Sequence, residues 1–364
     1  MESSVFVRQA VGRPRPHRPA SLLLKVFRQT LVSIAVVIAL IQAIPMRAQQ
    51  PLKVGIIGLD TSHAVAFTQL LNDPADPNHV PGAVVTVAYK GGSPGVAESA
   101  TRIERFTKEV TEKWHVRLVS SIPELCNQVD AVLLLSVDAR QHLEQVRPVF
   151  AAKKRVFIDK PLAPNLKVAQ EIVQSSQEAG VPFFSASSQR YSKPIVDLNH
   201  DGTIGRVNGA LTFGPMPIES YLPDLFWYGI HSVESLYALM GTGCQRVTRL
   251  HTEGEDSVVG LWQDGRIGEI RGLRSSPRTY GAVVFGSKRV AVSNNLFEQE
   301  THGGSTVGSY RPVVEQIVKF FQTGIAPVQP NETLEILAFM EAADRSKEQN
   351  GAPVSLSSIL DASR

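Results

Sequence analysis

The sequence predicts a two-domain α/β protein: a doubly wound parallel sheet first, then an α+β domain on an open, mainly antiparallel sheet. Three observations point there. From Pro51 to about Ala186, nearly continuous apolar runs alternate with segments of helical period, the pattern of a parallel sheet covered on both faces. Beyond about residue 200, strand-like segments follow one another with turns between them, and the longest helical patterns come late. That grouping suits an antiparallel sheet with helices to one side. The length of 364 residues, 43% of them hydrophobic and 20% charged, supplies core enough for two such domains.

Residues 1–50 read as a targeting segment. A basic stretch ends at Arg28, the apolar run LVSIAVVIALIQAI (Leu31–Ile44) follows, Pro45 breaks it, and cleavage fits after Ala48. The run falls short of the ~20 residues of a comfortable membrane span. Met46 departs from the small-residue cleavage rule, so an uncleaved anchor stands beside the signal peptide as a reading. Either implies export, to a periplasmic or extracellular site; a segment that only mimics a leader, on a cytosolic enzyme, is the third reading. Of the 37 basic and 34 acidic residues, seven and one lie in this leader, which leaves 30 and 33 for a near-neutral body. Such a body carries no footprint of a nucleic-acid partner. Cys126 and Cys244 read as two buried free thiols, and the nine histidines show no metal-ligand spacing.

The expected domains are therefore 1–50 for the leader, 51–188 for the parallel sheet and 189–364 for the second domain. Strands are expected at Lys53–Gly58, Ala83–Tyr89, His115–Val119, Asp130–Ser136 and Arg155–Asp159, leading to Pro182–Ser187. Helices are expected over about Ser62–Leu71, Val96–Trp114, Ala139–Ala152 and Ala163–Ala179, with a short one from Ile122. The second half adds helices at about His231–Met240, Val313–Thr323 and Leu334–Gln349. Ligands of a doubly wound sheet bind at the carboxyl ends of its strands. The rim is thus formed after Gly58, Tyr89, Ser136 and Asp159.

The first rim loop is GLDTSH (Gly58–His63). A dinucleotide-binding Rossmann fingerprint places G-x-G-x-x-G there, for a tight turn, close approach to pyrophosphate and helix packing. Gly58 keeps the first seat, while Asp60 and His63 hold the second and third. Two readings stand: Asp60, Thr61 or Ser62 caps the helix and the cofactor is retained, or the cofactor site is lost or altered. After the second strand, Lys90 stands where an acid would hold the ribose of NAD. It suits the extra phosphate of NADP or an exposed turn.

Three further stretches carry a resemblance. FIDKPLA (Phe157–Ala163) resembles the Glu-Lys-Pro signature of the Gfo/Idh/MocA oxidoreductases, with Asp159 for Glu. LLLSVDARQHLEQV (Leu133–Val146), which contains Ser136 and His142, resembles that family's fourth strand and following helix. YGIHSVESLYALMG (Tyr228–Gly241) resembles its second-domain helix, and GTIGRV (Gly202–Val207) the approach to that domain.

The resemblance implies a Rossmann domain, NAD or NADP, and hydride transfer to or from a sugar, inositol or related polyol. It implies that Lys160 contacts substrate and relays a proton, that His231 is the facing acid/base, and that Ser136, His142 and Asp159 belong to the cofactor side. Glu234, one turn after His231, is a candidate to orient it. Many family members carry an acid four residues before this histidine; here that seat is Trp227, with Asp224 a candidate to reach in. Trp227, Tyr228, Phe226 and Tyr221 offer aromatic faces for a sugar ring or for core. Gln189, Arg190 and Tyr191 follow the last Rossmann strand and are candidates to face the cleft, Tyr191 toward substrate.

The leading expectation is an exported NAD(P)-dependent dehydrogenase acting on CH–OH. A cofactor-free sugar-binding or regulatory protein on a retired oxidoreductase scaffold, and a redox-assisted glycosidase, stand as alternatives. The open sheet is a candidate homo-oligomer face, and any membrane contact runs through the leader.

Overall fold

The computed structural model describes residues 50–275, 279–294 and 309–362, with Gly12 apart. The apolar leader run lies outside them. From Gln50 onward the described residues form one compact unit.

The first sheet is built from β1 (Leu52–Ile57), β2 (Ala83–Tyr89), β3 (Arg117–Val119), β4 (Ala131–Leu134), β5 (Arg155–Ile158) and β6 (Phe183–Phe184). All are parallel, in the order β3-β2-β1-β4-β5-β6. Helices α1 (Ser62–Asn72), α2 (Ala97–Trp114), α3 (Ile122–Cys126), α4 (His142–Ala151) and α5 (Leu166–Ala179) connect them. The order reverses at β1 and β4, which puts a crevice at their carboxyl ends. This is the expected doubly wound domain.

Local chemistry sets the boundaries. β3 starts two residues later than expected because His115 takes a left-handed conformation (φ 54°) to close α2. α5 starts at Leu166 rather than Ala163 because Asn165 caps it, its side chain accepting from the Val168 N–H. Asp138 caps a single 3-10 turn, Ala139–Gln141, before α4 begins.

The second sheet holds β7 (Val207–Pro215), β8 (Cys244–His251), β9 (Glu255–Trp262), β10 (Ile267–Leu273), β11 (Gly281–Gly286), β12 (Val290–Asn294) and β13 (Val354–Ser355). Its order is β12-β11-β7-β10-β9-β8-β13. Every pair is antiparallel except β7 with β10. The burial of β9 alternates residue by residue, as in a sheet covered on one face. Helices α7 (Gly229–Met240) and α9 (Pro330–Glu348) cover that face. The short helices α6 (Lys193–His200) and α10 (Leu356–Ala362), and β13, were not anticipated.

The expected boundary at 188/189 misses one return of the chain. Helix α8 (Arg311–Thr323) buries Val313, Val314, Ile317 and Phe320 in the same cluster as Phe67, Phe157 and Phe184 of the first domain. An amphipathic period tells that a helix has an apolar face but not which sheet receives it.

Candidate active site

The turn after β1 is held by its neighbours. Gly58 and Leu59 donate their N–H groups to the carbonyls of Tyr89 and Lys90. Gly58 has φ +91°, and a Cβ there would lie 2.5 Å from the Ser136 backbone. A side chain is excluded by both conformation and space. A Cβ on Gly91 (φ +63°) would lie 3.3 Å from Gly58 Cα, so the ends of β1, β2 and β4 close on one another.

Past Gly58 the polar side chains divide. Thr61 is the cap of α1, its hydroxyl accepting from the His63 N–H at 3.1 Å. Asp60 turns inward instead and is 1% exposed. Its carboxyl accepts from Ser99 Oγ at 2.7 Å and from the Val137 N–H at 3.0 Å. Burial raises its pKa above the usual carboxylate value, against those hydrogen bonds. Of the three residues offered as caps, Asp60 is thus a brace between the turn, α2 and the loop after β4.

His63 turns toward β5. Its Nδ1 lies 2.6 Å from Asp159 Oδ2. Its ring stacks on Phe67 at 5.2 Å and meets Tyr310 edge-on at 4.8 Å. Asp159 is 4% exposed, and its other oxygen accepts from the Lys160 N–H. Burial pushes Asp159 up, but the charges of His63 and Lys160 and the hydrogen bonds outweigh it and hold the carboxyl below its usual range. Burial lowers Lys160, opposed by the charge of Asp159. The Lys160 ammonium lies 5.5 Å from the Trp227 ring centre and 5.8 Å from that of Tyr228.

The opposite wall comes from the second domain. His231 sits in the first turn of α7 and is 9% exposed. Its Nδ1 lies 2.7 Å from Ser187 Oγ, which already accepts from the Gln189 N–H. Burial first, then the charges of Lys160 and His63, holds His231 well below its usual pKa. The ring is therefore neutral at pH 7. Tyr228 and Tyr280 meet it edge-on.

These walls enclose a cavity of about 120 Å³ lined by Thr61, Ser62, His63, Asp159, Lys160, Trp227, Tyr228 and His231, with Gln189, Arg102, Tyr280 and Tyr310 among the rest. The ammonium at 160 and the imidazole at 231, from separate domains, do converge on one cleft under the β1–α1 turn.

Other expected residues are spent elsewhere. Glu234 does not orient His231: its carboxylate takes Arg190 Nε at 2.5 Å, and the same guanidinium reaches Glu332. His142 does not reach a cofactor, being fully buried with its ring nitrogens on the carbonyls of Leu162 and Ser136. Lys90 pairs with Glu104 at 2.6 Å. Asp224 binds Arg249 and Lys347 rather than reaching in. Tyr191 packs beside the first domain's core, outside the cavity lining. Phe226 is core, and Tyr221 meets Trp227 edge-on. Both cysteines are buried and free, with burial pushing the thiols up to about 11 at Cys126 and about 12 at Cys244.

The sequence reading missed Arg102, Ser187, Tyr280 and Tyr310. Ser187 alone had a local signal, as the hydroxyl that caps the turn Ser188–Tyr191. The others come from segments whose periodicity says nothing of the cleft.

A dinucleotide fits this rim. Gly58 and Gly91 leave backbone where a Cβ would collide, the N-terminus of α1 faces the cavity, and Asp60 is drawn away from it. Ser136 Oγ is buried beside Gly58 with no hydrogen-bond partner among the described residues, an acceptor and donor left for a ligand.

Residues 52–187 match a family model described as an oxidoreductase family with an NAD-binding Rossmann fold. The chain is 26% identical over 243 residues to a 1,5-anhydro-D-fructose reductase of Ensifer adhaerens, covering 59% of this chain and 73% of that one. It is 35% identical over 116 residues to a myo-inositol 2-dehydrogenase of Thermotoga maritima, covering 30% of this chain and 34% of that one. Its fold is similar to that of an oxidoreductase from Agrobacterium radiobacter solved with NAD+, L-tartaric acid and magnesium, with TM-score 0.68, 17% identity, and coverage of 85% and 99% of the two chains. The strand order and the glycine turn agree with that match, which is to the Gfo/Idh/MocA family of NAD-binding oxidoreductases and spans residues 52–187.

Proposed function

We propose that this oxidoreductase moves hydride to or from a ring carbon of a sugar, inositol or related cyclic polyol. One observation carries the reading: Lys160 and His231, from different domains, face one cavity whose other wall is the Trp227 and Tyr228 rings. The two similar enzymes named for 1,5-anhydro-D-fructose and myo-inositol support the substrate class.

A nicotinamide bound at this rim supplies the hydride acceptor or donor. The protein does the rest. Trp227 and Tyr228 present aromatic faces on which the C–H face of a sugar ring stacks. The Lys160 ammonium donates to the reacting oxygen and stabilises the negative charge that grows there in the half-dry cleft. His231 is neutral; with the Ser187 hydroxyl donating to Nδ1, its Nε2–H is a donor that orients a substrate hydroxyl. Titration of purified protein with NADH and NADPH, read by nicotinamide fluorescence, tests the cofactor. Turnover of myo-inositol and 1,5-anhydro-D-fructose tests the substrate class. No binding of either nucleotide overturns the reading.

The same proposal takes the leader as an export signal that carries this activity out of the cytoplasm. Mass measurement of the mature N-terminus checks it, and an intact Met1 in soluble cytoplasmic protein would refute export.

A further inference from the structure

The third glycine seat of the turn holds an imidazole, and the geometry gives that imidazole work to do. Asp159 is held in its ionised form, below the usual carboxylate range. An ionised carboxylate only accepts hydrogen bonds. His63 Nδ1, 2.6 Å from Asp159 Oδ2, must therefore carry the hydrogen of that contact. In the neutral ring this leaves Nε2 as a bare lone pair. Phe67 and Tyr310 hold the ring plane, and His63 lines the cavity with Lys160 and His231. His63 Nε2 makes no hydrogen bond among the described residues.

The two imidazoles of the cleft are thus opposites. His231 is neutral and backed by a hydroxyl, and a Ser187 O–H donating to Nδ1 would leave its hydrogen on Nε2. His63 is backed by a carboxylate, and in its neutral form carries a lone pair on Nε2. A carboxylate behind an imidazole both sets the tautomer and stabilises the ring once it gains a proton. A hydroxyl behind an imidazole carries no charge to stabilise a protonated ring.

We propose that His63 is a further catalytic residue of this cleft, its Nε2 accepting the proton of the substrate hydroxyl, with Asp159 holding the hydrogen on Nδ1. In the oxidative direction the O–H bond breaks and its electron pair becomes the second C–O bond. The adjacent C–H bond breaks and its pair leaves as hydride to an oxidised nicotinamide. The proton ends on His63 Nε2 and is returned along the same path in reduction. Lys160 holds the oxygen throughout. The proposal rests on the hydride-transfer reading above and assigns its proton.

The test joins a spectrum to kinetics on the full chain. Nitrogen-15 correlation spectra of histidine-labelled protein at pH 8 should show His63 with hydrogen on Nδ1, and Asp159→Asn should move it to Nε2. With the better of myo-inositol and 1,5-anhydro-D-fructose as probe, His63→Gln and Asp159→Asn should each lose at least about 100-fold in kcat. NADH affinity should stay within about threefold. His63→Gly, which restores glycine to the third seat, should be equally slow and recover with added imidazole, a rescue that a merely structural role would not show. Hydrogen on Nε2 in the wild type overturns the proposal, as does kcat within about threefold of wild type in His63→Gly without imidazole. Failure of the wild type to bind NADH or NADPH overturns the parent reading instead, and the proton role with it. An inert probe with the Nδ1 tautomer and bound nucleotide refutes only the substrate class.

Discussion

Lys160 and Arg249 are both cations drawn out of bulk water, and their surroundings differ. Arg249, on β8, is 1% exposed. Its guanidinium meets Asp256 at 2.7 Å, Asp224 at 2.8 Å and Asp344. Asp256 in turn takes Arg274 and His251, and Asp224 takes Lys347. Lys160 makes no ion pair among the described residues; two aromatic rings and the edge of a cavity are its company. A buried charge ringed by partners joins strands and helices. One left short of partners beside an open space is available to a ligand, because an incoming oxygen finds a donor that no protein group has claimed.

Substitutions at the two sites separate these roles. Lys160→Met should produce the largest change in rate, a loss of about 10²–10⁴ in kcat. Its unfolding midpoint should match or exceed that of the wild type, since an unpaired charge has left the interior. A rate within threefold would place Lys160 outside the chemistry. Arg249→Met should do the reverse. Three carboxylates lose their shared cation, and urea unfolding should report a loss of about 3–5 kcal/mol, while kcat per folded molecule stays near wild type.

The Arg249 cluster also has an uneven member. Asp344 Oδ2 is buried with no hydrogen-bond partner among the described residues, and burial outweighs Arg249 to push the carboxyl up to about 7. A carboxyl raised above its unfolded value contributes stability below that value and loses it as pH climbs through the folded one. Asp344→Asn should therefore gain on the wild type in urea unfolding between pH 5 and pH 8. A gap that does not move with pH would show that Asp344 is ionised throughout.

The smallest effect belongs to the surface. Lys90 is 39% exposed in its pair with Glu104, and Lys90→Gln should shift stability by under about 0.5 kcal/mol. Affinities for NADH and NADPH should both hold. A selective tenfold loss for NADPH would mean that Lys90 leaves Glu104 for the 2′-phosphate.

Much of the frame was legible in the chain. Four-residue apolar runs such as AVLL of β4 read as buried parallel strands because both faces are covered. Gly58 read as the first glycine of the turn because only that residue tolerates the conformation and the contact with Ser136. Lys160 and His231 were found through motifs that sit at strand and helix ends. The failures were of partnership. Glu234 lies at the right spacing to meet His231 on one helix face, yet Arg190 offers a full opposite charge and takes it. Asp224 is near His231 in sequence, yet Arg249 and Lys347 claim it.

The sequence alone determined the order of the main strands and helices and the ends where chemistry is placed, because these follow from periodicity and contacts within a few residues. Only the tertiary structure decided what each polar group does. His63 and Asp159 lie 96 residues apart, and His231 meets Ser187 across 44. Such pairs form where strand ends and helix starts converge in space, and the electrostatics of a cleft depend on that convergence rather than on spacing along the chain.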